Sequence, residues 1–274
     1  MEYRRLGTSG LKVSRITLGC MSFGDTSRGF NEWALDDEQA EPIFRQAVES
    51  GINFWDSANV YGYGTSEEIV GRAIRKYTRR EDVVLATKVY FKVGEGPGGS
   101  GLSRRAIMEQ VDASLARLGT DYIDLYQIHR FDRETPAEET MEALHDVVKA
   151  GKARADQGVG SIPWSPLAKG RLARPWGGQT ARSETDSVAR WVLPHDDKPI
   201  ADAVQAVAAD RGVPMAQVAL AWVLKNPVVT APIVGPTRPG HLADAVAALD
   251  IRLTDEEVRR LEAPYTPRTP TGFE

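Results

Sequence analysis

Along the chain, short apolar runs alternate with longer stretches in which apolar positions recur every three or four residues. The runs at Ile16–Gly19, Ile52–Asp56, Val83–Val89, Tyr122–Ile128, Val159–Trp164 and Val229–Val234 predict β-strands. Several are apolar at nearly every position, the pattern of strands buried on both faces of a parallel sheet. Between them, Asp37–Ser50, Ser103–Leu118, Ile200–Arg211 and Met215–Lys225 predict amphipathic helices. Further helix starts are marked by capping-box spacing at Thr65 with Glu68, at Thr135 with Glu138 (Pro136 taking the first helical position), and at Thr254 with Glu257. Gly51 and Gly151 stand where a left-handed residue ends a helix. Tyr3–Val13, turning at Gly7-Thr8-Ser9-Gly10, predicts a β-hairpin ahead of the first long strand.

Strand–helix alternation without a linker predicts one α/β domain over residues 1–274, either a closed barrel or an open doubly wound sheet. The open sheet's dinucleotide fingerprint is missing. Gly94-Glu95-Gly96-Pro97-Gly98-Gly99-Ser100-Gly101 lacks both its glycine spacing and a following Gly-Lys-Ser/Thr, and reads as a mobile loop over a barrel mouth. The expected fold is therefore a TIM-type (β/α)8 barrel with an N-terminal hairpin, and an incomplete one. Six strands are recognisable where closure takes eight, and at about 30 residues per βα unit the chain is short by nearly two units.

Composition narrows the function. The 274 residues are 42% apolar and 26% charged, as in a globular protein with a sizeable core. A net charge of −4 with no basic stripe excludes nucleic acid as the expected partner. The single cysteine, Cys20, excludes an intrachain disulfide framework and reads as a small buried hydrophobe. No metal cluster is expected. Met1–Arg5 is not followed by the apolar stretch of a signal peptide, and no run is long enough to span a membrane, so the expected location is cytoplasmic.

Four polar residues stand at the ends of the strand runs: Asp56 and Tyr61 in Phe54–Gly62, Lys88 in Ala86–Val89, and His129 in Leu125–His129. In a parallel barrel all strand ends open into one mouth, so these residues converge. Each alone has an ordinary explanation as a cap, a surface charge or a packed ring. Together they form a device for protonating a carbonyl oxygen. Tyr61 is the acid, and the Lys88 ammonium is expected to lower the pKa of its phenol. Asp56 anchors the ammonium and His129 orients the carbonyl.

The chain resembles the aldo-keto reductases, a family of NADPH-dependent (β/α)8 barrels that reduce aldehydes and ketones. The resemblance is carried by Tyr3–Ser14, Thr17–Met21, Asp56–Gly62, Thr87-Lys88, Gln127–His129, Pro163–Gly170, and Pro232–Gly235 with Thr237-Arg238. It implies the catalytic tetrad Asp56, Tyr61, Lys88 and His129. It further implies a cofactor site in which Trp164 stacks on the nicotinamide, Ser165, Leu167 and Gly170 wrap the pyrophosphate, and Thr237 and Arg238 hold a 2′-phosphate. Gly19, Met21, Asp56, Gly235, His241 and Asp244 complete that site.

The resemblance breaks after Arg154. There the family pattern continues through a fifth and a sixth strand, whereas Ala155–Trp164 reads like the approach to the family's seventh. About 50 residues are missing, in line with the strand count. With them go the groups that would hydrogen-bond the nicotinamide carboxamide, and the edges of the flanking strands are left open. Three explanations stand: sequence omitted from the chain as written, a true deletion, or a smaller barrel whose strands pair across the gap. If the chain acts as it stands, weak activity, weak stability or dimerisation through the open edges is expected. The competing functional readings are a nucleotide-binding regulatory or scaffold protein with little turnover and a remnant that binds no cofactor. Specificity is expected from the loops Phe23–Leu35, Tyr90–Leu102 and Arg171–Pro199 and the tail Pro264–Glu274, where Phe23, Phe30, Trp33, Tyr90 and Phe91 could wall an apolar pocket.

Overall fold

The computed structural model of the chain describes residues 1–28, 31–154, 160–180 and 197–267. Phe30, Val159, residues 181–196 of the Arg171–Pro199 loop and the tail after residue 267 lie outside the described residues.

A two-stranded antiparallel hairpin, β1 (Tyr3–Arg5) and β2 (Lys12–Ser14), precedes a five-stranded parallel sheet. The sheet is formed by β3 (Thr17–Gly19), β4 (Phe54–Asp56), β5 (Val84–Val89), β6 (Leu125–Ile128) and β7 (Ile233–Val234), in the order β6-β5-β4-β3-β7. Around it lie α1 (Asp37–Glu49), α2 (Thr65–Tyr77), α3 (Arg104–Leu118), α4 (Ala137–Lys149), α5 (Lys198–Arg211), α6 (Met215–Lys225), α7 (Pro239–Ala247) and α8 (Asp255–Glu262).

The two faces of the strands explain their apolar runs. Leu18, Trp55, Leu85 and Val89 point outward into a core shared with Ile43, Phe44, Val70, Ile107 and Val111 of the helices. Phe54, Ala86, Leu125 and Ala231 point inward and meet Leu6, Leu11 and Val13 of the hairpin, which closes the bottom of the barrel. Asp56, Lys88 and His129 follow these inward residues at two-residue intervals, so the same alternation carries them into the mouth.

Among the described residues the barrel does not close. The segment at 160–164 touches the sheet through single parallel bridges, Ser161 to Val229 and Trp164 to Ile233, and β6 is followed only by the bridge Ile123 to Ala153. Among the described residues nothing pairs β6 with 160–164, which rules out the smaller closed barrel for them. Of the predicted strand Val159–Trp164, the described residues 160–164 form these bridges only, having no paired neighbour on the β6 side among the described residues.

Two predicted caps also fail. Gly64, not Thr65, precedes α2, and the Thr65 hydroxyl donates instead to the Gly62 carbonyl (2.8 Å) and accepts from the Asp25 N–H (2.9 Å). Pro136 is the N-cap of α4 rather than its first residue, and the Thr135 hydroxyl donates to Asp132 Oδ2 at 2.8 Å. The Thr254–Glu257 box does form, and so does one at Asp36 and Gln39. Gly51 (φ 72°) and Gly151 (φ 75°) are left-handed as expected.

Candidate active site

The loop after β4 turns back on itself to enter α2. Ser57 and Asn59 extend the parallel ladder by donating to the Ala86 and Lys88 carbonyls at 2.9 and 3.2 Å. The chain then reverses through Gly62 (φ 57°), Tyr63 (φ 50°) and Gly64 (φ 94°), three left-handed residues in a row. A side chain at Gly62 would strike Thr65 Oγ1 at 2.3 Å and one at Gly64 would strike Arg117 at 2.7 Å, so both glycines are needed sterically as well. This reversal carries Tyr61 from the end of β4 back over the mouth.

There the Lys88 ammonium donates to Asp56 Oδ2 at 2.6 Å, to the Ser57 carbonyl at 2.7 Å and to the Tyr61 hydroxyl at 3.3 Å. The ring of Tyr61 meets that of His129 edge-on, with centroids 5.7 Å apart. The structure thus brings the four tetrad positions together. Sequence reasoning missed a fifth contributor: Gln127 Nε2 donates to Asp56 Oδ1 at 3.1 Å, so both carboxylate oxygens are engaged. Its position two residues before His129 on β6, hence on the same face, was the signal available for it.

Burial and charge set the protonation states. Burial opposes the charge on Lys88, but Asp56 and Tyr61 outweigh it and hold the ammonium at about 12. Burial, joined by the charges of Lys88 and Arg130, pushes the His129 imidazole down to about 3. Burial pushes the Tyr61 phenol above its ordinary value, and the pull of Lys88 offsets this only in part. The expected net lowering of the phenol is therefore not found. Around neutral pH the site holds a protonated phenol, a charged lysine and a neutral imidazole.

The residues assigned to a cofactor lie along the mouth on the side of β3 and β7. Trp164 is 48% exposed, with its indole available for stacking. Beyond it Ser165 (φ 51°), Ala168 (φ 47°), Lys169 (φ 53°) and Gly170 (φ 94°) are left-handed, and the backbone turns tightly, the Ala168 and Gly170 N–H groups donating to the Ser165 and Leu167 carbonyls at 2.9 Å each. Gly19 packs against β7 so closely that a side chain there would meet Ile233 at 2.8 Å and the Val234 carbonyl at 3.1 Å, and one at Gly235 would meet Ser22. Met21 is half-buried beside them. His241 is bonded by the Thr237 N–H (3.2 Å) and by Arg238 Nε (2.9 Å), and Asp244 accepts from Gln217 (2.9 Å). An exposed indole and an exposed guanidinium on one side of the mouth are groups that could hold a nucleotide cofactor.

The Gly94–Gly101 segment is hydrogen-bonded at three places. The Gly101 N–H donates to the Tyr90 carbonyl (2.7 Å), the Val93 N–H to the Gly99 carbonyl (2.9 Å), and Gln110 Nε2 to the Gly98 carbonyl (2.9 Å). Cys20 is fully buried, as expected. Among the described residues no cluster of His, Cys, Asp or Glu is arranged for a metal ion, and no helix is long and apolar enough to cross a membrane.

Comparison with known proteins agrees with this geometry. The model of the aldo/keto reductase family matches residues 15–157 and 153–265. The chain is 41% identical over 340 positions to versiconal hemiacetal acetate reductase of Aspergillus parasiticus, covering 98% of each protein. It is 36% identical over 345 positions to aldo-keto reductase AMT2 of Alternaria alternata, covering 98% of this chain and 93% of the relative. It is 34% identical over 336 positions to the putative aryl-alcohol dehydrogenase AAD16 of Saccharomyces cerevisiae, covering 96% and 97%. The chain belongs to the aldo/keto reductase family, whose (β/α)8 barrel it carries in incomplete form. The first alignment runs 66 positions beyond the chain's 274 residues while spanning nearly all of both proteins, so the shortfall is internal. The two matched segments meet at 153–157, where the sequence pattern breaks.

Proposed function

We propose that this protein reduces the carbonyl group of a small aldehyde or ketone with NADPH, within one domain spanning residues 1–274. The observation that carries the reading is the Lys88 ammonium bonded to both Asp56 and Tyr61. A phenol beside a fixed cation can release its proton to a carbonyl oxygen because the phenolate left behind is stabilised at once. Asp56 keeps the ammonium charged, Gln127 keeps Asp56 in place, and His129, being neutral, can hydrogen-bond the carbonyl without competing as an acid.

The cofactor would lie against Trp164, with its phosphates against Ser165, Leu167 and Gly170. Gly19, Met21 and Gly235 would line its path, and Thr237, Arg238, His241 and Asp244 would hold the adenosine end. When bound it supplies the hydride, and the chain's own residues serve the oxygen side. The printed name of the yeast relative, the exposed ring of Phe91 against His129 in space and that of Phe131 two residues after it in sequence make aromatic aldehydes the first substrates to try.

A second reading, binding with little turnover, is favoured by one observation: the break between β6 and 160–164 removes the expected carboxamide partners. NADPH fluorescence titration combined with NADPH oxidation over a panel of aldehydes separates the two. Aldehyde-dependent oxidation supports the reductase; binding without oxidation supports the second reading.

A further inference from the structure

The imidazole of His129 is gripped on two sides. The Tyr61 ring meets it edge-on at 5.7 Å and the Phe91 ring at 4.8 Å, with an interplanar angle of 77°. Phe91 is braced in turn by Tyr90, whose ring lies 5.3 Å away. The outer side of Phe91 is open, with 37% of the residue exposed, so this ring is what stands between the imidazole and water on that side.

The distance between the two rings is fixed by the backbone. Phe91 belongs to the segment after β5 and His129 to the segment after β6, and Asp132 ties these segments together. Its Oδ2 accepts from the Leu102 N–H (2.8 Å) at the far end of the Phe91 loop and from the Thr135 hydroxyl (2.8 Å), and its Oδ1 accepts from the Glu134 N–H (3.0 Å). Gln110 holds the same loop at Gly98.

Nδ1 of His129 is enclosed without a hydrogen-bond partner among the described residues. A buried donor without a partner is rarer and more costly than a bare lone pair. The neutral ring therefore keeps its proton on Nε2.

We propose that Phe91 is a positioning residue which, clamped by Asp132, excludes water from His129 and holds the ring neutral as the Nε2–H tautomer. The inference rests on the reading of His129 as the group that orients a carbonyl, but its test does not use turnover. The charged and titratable groups facing the ring are Lys88 from β5, Tyr61 from the loop after β4 and Arg130 beside it in the chain; Asp56 is engaged by Lys88 and Gln127. The two cations remain when Phe91 is removed, so what changes is access of water to the imidazolium. Hydration stabilises the charged form, and the histidine becomes more basic.

The experiment is an NMR titration of the histidine ring signals of the full chain without cofactor, the His129 signal being assigned as the one lost in His129→Gln. The wild-type signal should stay neutral down to about pH 4, well below the ordinary value for a histidine. Phe91→Ala should raise its midpoint by about one pH unit or more. Phe91→Leu, which keeps apolar bulk and serves if the alanine variant does not fold, should raise it less. Phe91→Tyr should restore the wild-type titration. Phe131→Ala, which removes a 68% exposed ring two residues after His129, should leave it unchanged. A wild-type midpoint near 6.5, or a Phe91→Leu midpoint equal to wild type, would overturn the proposal. An inactive protein with the predicted titration would count against the reductase reading alone, and an active one with an unshifted titration against this inference alone.

Discussion

Lys88 Nζ lies 2.6 Å from Asp56 Oδ2, and only 10% and 3% of the two side chains are exposed. A pair so enclosed is held by its partners rather than by water, and removing one member strands the other. Lys88→Met should destabilise the protein by about 3–5 kcal/mol, because the carboxylate is left buried and uncompensated. The double variant with Asp56→Asn should recover part of that loss. Urea unfolding of the three proteins checks this; a Lys88→Met midpoint equal to wild type would count against it.

Gln127 secures the other oxygen of the same carboxylate. Gln127→Leu should cost about 1–2 kcal/mol of stability, toward the low end for a bond to a charged acceptor because Gln127 is half-exposed. If its role is to keep Asp56 and hence Lys88 in place, kcat should fall more than KM rises, and steady-state kinetics would show the split.

The protonation states predict a flat pH profile. His129 is neutral above about 3, Lys88 is charged below about 12, and burial raises the Tyr61 phenol above its ordinary value. Reductive kcat/KM should therefore be nearly constant between about pH 5 and 9, since none of the groups titrates there. For stability the sign follows from Lys88, whose value is raised in the folded state. Its contribution is fully present below the unfolded lysine value of about 10.4 and is lost as pH climbs through the folded one. Unfolding free energy measured from pH 8 upward should decline in the wild type, and less steeply in Lys88→Met, where the raised Tyr61 phenol still contributes a decline but the lysine no longer does.

A second enclosed carboxylate lies between helices and sheet. Glu67, whose side chain is fully buried, is met by Arg117 Nε at 2.6 Å and by the Thr87 hydroxyl at 2.6 Å. Arg117→Leu should cost about 3–5 kcal/mol, and Arg117→Leu with Glu67→Gln distinctly less, because the second change removes the unpaired charge. Thermal unfolding of the pair tests this without reference to activity.

The tetrad was legible because strand ends in a parallel barrel converge, and alternation along β5 and β6 sends Lys88 and His129 to the same side. Gln127 was equally legible by that rule and was passed over because an amide carries no charge to draw attention. The failed caps had another cause. Thr65 and Thr135 have the right spacing to their glutamates, but their hydroxyls are taken by Gly62, Asp25 and Asp132, partners set by the tertiary fold. The hydrogen bonds at the glycine loop were hidden for the same reason, since Gln110 and Asp132 come from other elements. The acidity of Tyr61 was misjudged because charge is visible in a sequence and burial is not. The break after Arg154 was visible as a missing pattern, and the open edge of β6 is its structural result.

The central claim is that Tyr61 gives the proton. Its most direct test is the aldehyde-dependent turnover of Tyr61→Phe against wild type, with NADPH affinity measured on both. A loss of about 10²-fold or more in kcat with NADPH binding unchanged is predicted, the usual range for removal of a general acid. Turnover within a few-fold of wild type would contradict it.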